Sequence, residues 1–339
     1  MRRSMVYIYK KVIGDKEYYY LRASVRKDGK IVVKDIKYLG NDLHSIRAGL
    51  ANLPSTYAAE IRKAYKTINR FLEANTYLEK AKALKLKKNE YLSTASLEGL
   101  EACRIHWRDA FLKLDELTRE EVLKDFLIEF AYNTTSLEGN TITLEQARNL
   151  LAENQTPKNK SLREVYDLQN TERVFFTLFR DASRELTHEL ICEVHDALLE
   201  NIDTRTGYRT TDVRVFKASF KSTPAPYVAE DMDALLRWYR AHERTLHPFV
   251  LATAFHHKLE KIHPFMDGNG RTGRMLLNHI LLSHGHPPLI IRKKNRLLYL
   301  EKLHAADASP LLEVKPERYA ALVEFDAREQ TGNYWNLFL

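Results

Sequence analysis

Twelve consecutive residues, 263–274, read HPFMDGNGRTGR and bring together a histidine, an aspartate, an asparagine, three glycines and two arginines. The runs on either side, FVLATAFHHKLEKI and RTGRMLLNHILLSHG, have helical spacing, so the motif is a helix–loop–helix junction with Gly268 and Gly270 at the start of the second helix. A glycine-containing turn entering a helix presents N–H groups without intrahelical acceptors, backed by the positive end of the helix dipole, which makes an anion site. Arg271 and Arg274 lie three apart on one helix face and add fork-shaped cationic donors. Phosphates alone would repel Asp267, but a Mg²⁺ ion takes one or two carboxylates together with phosphate oxygens, so Asp267 is a candidate metal ligand. His263 is the base of the loop that titrates near neutrality and could take a proton from an attacking hydroxyl. The set describes transfer from a nucleoside triphosphate to an alcohol. Each piece alone has an ordinary use too: a structural histidine, a plain turn, a solvated arginine pair. Their conjunction within twelve residues is what points to chemistry.

The elements that must carry this loop are mostly helical. Periodicity and punctuation predict helices near 101–114, 118–132, 143–153, 161–182, 187–200, 229–243, 247–260, 271–284, 295–307 and 316–328. RTTDVRVFKASFKSTPAPYV, 209–228, alternates like a strand and then meets two prolines, which predicts a β-hairpin. Residues 4–40 read as a β meander, because MVYIYKKV, KEYYYLRASVR and KIVVKDIKYL are rich in Tyr, Val and Ile and are joined by GDKE and KDGK turns. A helical period then runs through AYKTINRFLEANTYLEKAKALKLKKNEYL with a basic outer face. The segments divide as 1–40, a small basic β module; 41–117, a basic helical region; 118–310, the part holding the motif; and 311–339, a C-terminal helical segment.

The chain has 339 residues, 44% hydrophobic and 29% charged, with a net charge of +8 and two cysteines in no metal-ligand spacing. That content supports a sizeable core and argues against a disulfide framework. The longest apolar run, MLLNHILL, falls well short of the ~18 residues of a membrane helix. No membrane association and a cytoplasmic setting are expected. The charge is uneven: residues 1–90 hold 21 Lys/Arg against 9 Asp/Glu, and the remainder holds 32 against 36.

HPFMDGNGRTGR resembles the Fic family signature, His-x-Phe-x-Asp/Glu-Gly-Asn-Gly-Arg-x-x-Arg, at every fixed position. The resemblance runs from about 119 to 310, through YNTTSLEGNTITLEQA, GYRTTDVRV and NRLLYLEKLHAAD, and does not cover residues 1–90. It implies a mainly α fold: a Fic-type helical core with a β-hairpin flap, preceded here by the β meander and long helices. It implies a protein adenylyltransferase that moves AMP from ATP to Ser, Thr or Tyr hydroxyls of target proteins, with removal of AMP by the same site as a subsidiary capacity. Carried over, His263 is the base and Asp267 holds Mg²⁺. Gly268, Asn269 and Gly270 form the anion hole, and Phe265 packs beneath the loop. Arg271 and Arg274 hold the triphosphate, with Thr272 and Gly273 in the same nucleotide-binding run. Val215 belongs to the flap, and Tyr299 falls near the adenine. Asp307 stands where an asparagine is common, a departure at that contact.

TTSLEGN resembles the family's inhibitory motif, Ser/Thr-x-x-x-Glu-Gly/Asn, with Thr134, Glu138 and Gly139 at the required spacing within segment 134–140. A carboxylate reaching Arg274 would occupy the cation meant for the γ-phosphate. The same letters also describe a helix ending at Glu138 and capped by Gly139. A second copy, TASLEG, ends at Gly99 and offers Glu98 as a rival.

The basic front, with Tyr18, Tyr19 and Tyr20, leaves two uses open: nucleic-acid binding by residues 1–90, or docking on a protein or second subunit, including a homodimer. It faintly resembles the leading module of some transposases. The alternative to an enzyme is a nucleic-acid-binding regulator in which the Fic half senses nucleotide.

Overall fold

Alternation of Tyr, Val and Ile with smaller or charged residues builds the first part of the chain. The computed structural model describes residues 4–14, 16–27, 30–51, 53, 58–213 and 221–339. Two compact units divide at Lys85, residues 1–85 and 86–338. The boundary falls inside the expected 41–117 region, because its first helices close the core of the sheet and its last joins the helical body.

In the first unit, β1 (Ser4–Ile13), β2 (Lys16–Lys27) and β3 (Lys30–Gly40) form an antiparallel meander in the order β1-β2-β3. Helices α1 (Leu43–Ala51) and α2 (Ala58–Ala83) cover one face through a core of Val6, Tyr19, Leu21, Leu39, Ile46, Ile68 and Leu72. Successive strand residues point to opposite faces, so Tyr18, Tyr19 and Tyr20 are not equivalent. Tyr19 is buried edge-on against Phe71, while its two neighbours point away from this core. Helix α2 stops at Ala83, short of the expected 92, and Lys85 has a positive φ. Continuing it would set Lys82, Lys85 and Lys88 at i,i+3, a like-charge row that a helix face disfavours.

The α-helices described in the second unit are α3 (Thr94–Asp109), α4 (Glu116–Leu137), α5 (Leu144–Glu153), α6 (Leu162–Arg180), α7 (His188–Leu198), α8 (Val228–His242), α9 (Pro248–Ile262), α10 (Asn269–Ser283), α11 (Arg296–Ala306) and α12 (Pro316–Leu337). From α5 to α11 the ends fall within two residues of expectation. Three differences have local causes. Ser93 accepts a hydrogen bond from the Ser96 N–H and so starts α3 earlier than expected. Helix α4 runs five residues further because its last turn, Asn133 to Leu137, is buried against the rest of the unit. Helix α12 extends to Leu337 because Tyr334 is buried there, with Phe338 behind it against Trp107, Phe111 and Phe126. The two copies of the SLEG run prove unrelated in structure, since one opens α3 and the other closes α4.

Helices α9 and α10 form the centre. Residues Met275 to Leu281 are buried on every side, as expected for a helix enclosed by neighbours. Around this pair stand α4, α6, α7, α8 and α12. No described helix is long and apolar enough to cross a membrane. Of the expected hairpin at 209–228, residues 214–220, Val215 among them, lie outside the described residues; the described parts, 209–213 and 221–228, contain no strand.

Candidate functional site

The loop between α9 and α10 is shaped by its own residues. His263 caps α9 in the left-handed conformation, φ 55°, uncommon for a residue with a side chain. Gly268 opens α10 at φ 80°, a position suited to glycine. Between them, the Asn269 amide accepts from the Phe265 N–H and donates to the Phe265 carbonyl, both at 2.9 Å, closing the loop on itself. Phe265 is fully buried and stacks on His195, with ring centroids 3.7 Å apart. The other side of His195 is a ring nitrogen 3.1 Å from the Asp267 carbonyl, so this histidine braces the loop from below.

A cavity of about 390 Å³ opens above the loop. Its floor is Gly268, Asn269, Gly270, Arg271 and Arg274; His257, Glu260 and His263 line it from α9, Leu137 and Glu138 from α4, and Arg296, Tyr299, Leu300, Leu303 and His304 from α11, with Asp307 beyond. The structure thus brings most expected site residues together. Thr272 and Gly273 do not line it. Thr272 is fully buried, and Gly273 faces the His256 ring so closely that a Cβ would overlap it. Tyr299 is almost wholly buried, with its hydroxyl 2.5 Å from His256 Nε2. Asp307 meets His257 Nε2 at 3.1 Å, and His257 Nδ1 lies 2.9 Å from the Tyr319 hydroxyl.

Both motif arginines are engaged. Arg274 donates from Nε to Thr134 Oγ1 at 2.8 Å, and from Nη2 to the Thr134 carbonyl at 3.0 Å and to Glu138 Oε1 at 2.7 Å. Thr134 and Glu138 are one turn apart, so the last turn of α4 offers both to a single guanidinium. Glu138 is also the helix C-cap, followed by Gly139 at φ 104°. The Glu138 carboxylate thus reaches Arg274, and the same residue ends the helix. Glu98 lies on α3 and is not among the cavity-lining residues. Arg271 pairs with Asp167 and, at 3.2 Å, with Asp267, while Asp267 also pairs with Arg163.

Burial of Asp267 opposes its charge, but Arg271, the Gly268 N–H and Arg163 hold its carboxyl below the usual range. An anionic oxygen at the cavity edge suits a hard cation. Among the described residues no group of three or more His, Cys, Asp or Glu could hold a metal by itself. Burial, with help from Arg209, lowers the His263 imidazole below its ordinary value, which keeps it neutral and able to accept a proton.

Four residues outside the sequence reading matter here. Glu260 is partly buried one turn before His263, its Oε1 is shut off from solvent without a hydrogen-bond partner, and its carboxyl is pushed up to about 8 by burial and then by Glu138. Its spacing of three from His263 was the signal available. Arg163 and Asp167, four apart on α6, hold Asp267 and Arg271 from outside the motif. Arg209 is buried and donates to the carbonyls of His263 (2.7 Å), Thr211 (2.9 Å) and Thr223, and its own N–H reaches the Pro264 carbonyl at 2.9 Å. Nothing in the run GYRTT marks it for that task.

The family model of the Fic/DOC family matches residues 185–281. Among similar proteins, protein adenylyltransferase fic-1 of Caenorhabditis elegans is 30% identical over 210 residues, 60% of this chain and 41% of that protein. Protein adenylyltransferase Fic of Nematostella vectensis is 31% identical over 258 residues, 73% of this chain and 59% of that one. The chain thus spans between two-fifths and three-fifths of these relatives. Among solved structures, a Fic-domain signalling protein from Bacteroides thetaiotaomicron superposes with a TM-score of 0.65 at 25% identity, covering 71% of this chain and 96% of that one. A fragment of Fic-1 from C. elegans gives 0.57 at 25% identity, covering 87% and 86%. The family match falls on residues 185–281, which include α9, the loop and the start of α10, and over that segment the chain is similar to the Fic/DOC family.

Proposed function

We propose that this protein is a self-inhibited adenylyltransferase that moves AMP from ATP to a Ser, Thr or Tyr hydroxyl of a protein target. The observation that carries this reading is the meeting, in one cavity, of a neutral His263, the N-terminus of α10, and Arg274 held by Glu138. The relatives' names, protein adenylyltransferase, point the same way.

In this reading the N–H groups at the start of α10 and the two guanidinium groups receive the phosphates. Asp267 would hold Mg²⁺ with phosphate oxygens, and the ion would supply charge neutralisation there. The target hydroxyl loses its proton to His263 as its oxygen attacks the α-phosphorus, and pyrophosphate leaves. Loop closure by Asn269 and the brace of His195 fix the distance between base and anion site before substrate arrives. While Glu138 occupies Arg274, the γ-phosphate lacks its cation and the α-phosphate is not set for attack. Removal of AMP by the same cavity is a subsidiary activity of this reading. A cytoplasmic setting is in keeping with two unpaired cysteines.

Incubation with ATP labelled in the α-phosphate and Mg²⁺ tests the proposal. Label should appear on protein, on this chain or on a target, and should be absent with His263→Ala. Absence of transferred label from a Glu138→Gly variant that binds ATP would overturn it.

A further inference from the structure

The basic charge of residues 1–90 has no part in the cavity chemistry, and the sheet shows where it could act. Helices α1 and α2 cover the face of Val6, Tyr19, Leu21 and Leu39. Register places Tyr9 opposite Tyr20, Lys11 opposite Tyr18, Tyr7 opposite Arg22 and Tyr20 opposite Tyr38, so these residues share the other face. Tyr38 is 49% exposed, and Tyr7, Tyr9, Tyr18 and Tyr20 are partly exposed. Their rings cluster, with Tyr20 and Tyr38 centroids 5.2 Å apart and Tyr18 and Tyr38 6.4 Å apart. The Arg22 guanidinium lies 3.5 Å over the Tyr9 ring. Lys11 and Lys16 stand exposed on the same face, and its acidic member Asp35 is already paired with Arg22.

We propose that this sheet face binds single-stranded nucleic acid, stacking unpaired bases on the tyrosines and holding phosphates with Lys11, Lys16 and adjoining cations. Charge chooses the partner: residues 1–90 hold 21 Lys/Arg against 9 Asp/Glu, whereas the rest of the chain is slightly acidic. Aromatic rings interleaved with cations are the chemistry that tracks an unpaired strand, because every base has a face to stack and every nucleotide a phosphate. A duplex keeps its bases stacked on one another, so it could use the cations but not the rings. The proposal is independent of the transfer reaction.

The test uses the full chain without nucleotide, titrated into a short fluorescein-labelled oligonucleotide and followed by anisotropy. Single strands should bind more tightly than the same sequence as a duplex. Affinity should fall with salt, with a log–log slope of about −0.7 for each phosphate neutralised. Tyr38→Ala and Tyr20→Ala should each weaken single-strand binding on the order of ten-fold. Lys11→Glu with Lys16→Glu should weaken it and flatten the salt slope, while Lys63→Glu with Lys66→Glu on exposed positions of α2 should do neither. Circular dichroism of each variant separates lost contact from lost fold, and the exposed Tyr38 is the variant least able to disturb the core. Equal binding of duplex and single strand, loss only in the α2 variant, or a face that pairs two copies of the chain without affinity for oligonucleotide would each overturn the proposal.

Discussion

Glu138 Oε1 and Arg274 Nη2 lie 2.7 Å apart, joining the C-cap of α4 to the last residue of the loop motif across 136 positions of chain. Arg274 is nearly buried, and Glu138 is 41% exposed. One partner is thus fixed in the floor while the other can leave toward solvent.

Replacing Glu138 with glycine should raise AMP transfer. A hydrogen bond to a charged group contributes about 1.5–3 kcal/mol, and the exposure of Glu138 puts this one at the lower end, so a gain of roughly ten-fold is expected. Glu98→Gly should change nothing. Adding Arg274→Ala to Glu138→Gly should erase the gain. The measurement is initial rate of label transfer, and activation by the Glu98 variant would move the inhibitory role to the other copy.

His263→Ala should lower transfer by roughly 10²–10⁴-fold while ATP affinity, measured by calorimetry, stays near that of the parent. Because burial depresses the imidazole, the acid limb of the rate profile should lie below the ordinary histidine value of about 6.5. An acid limb above that value would assign it to another group.

Glu260 should impose a pH dependence on stability. Its carboxyl is raised from 4.5 to about 8 on folding, so between these values the native state keeps a proton that the unfolded chain has lost. The contribution is full below pH 4.5 and is lost as pH rises toward 8. Thermal scans across that window should show the Tm of the parent falling relative to Glu260→Gln. Parallel curves would show that the buried carboxyl is not protonated.

Arg209→Lys should uncouple the His263 turn from residues 211 and 223. Lysine cannot reproduce a planar fork that serves several carbonyls at once. The expected result is a lower kcat with an almost unchanged KM for ATP, together with a stability loss of about 2–4 kcal/mol. A change in KM with kcat preserved would place Arg209 in nucleotide binding instead.

Much of this molecule follows from relationships that are short along the chain. The 3.6-residue period located α5 to α11 closely, and local caps mark the starts of α5 and α6, where Thr143 and Gln146, and Ser161 and Glu164, form capping boxes three residues apart. The loop 263–274 was legible for the same reason, since base, anion site and both arginines lie within three turns of one another. The asymmetry of charge needed only counting.

Packing decided the rest. Nothing in the spacing of TTSLEG and TASLEG distinguishes Glu138 from Glu98; the placement of the last turn of α4 over α10 does. Tyr19 and Tyr20 look alike as letters, but a strand must send them to opposite faces. Thr272 and Gly273 sit inside the motif yet face the core, because a helix end exposes only part of its circumference to a cavity. Arg163, Asp167 and Arg209 acquire their roles from partners far away in sequence. Such ion pairs and carbonyl contacts leave no periodic trace, since they depend on where two separate elements come to rest against each other.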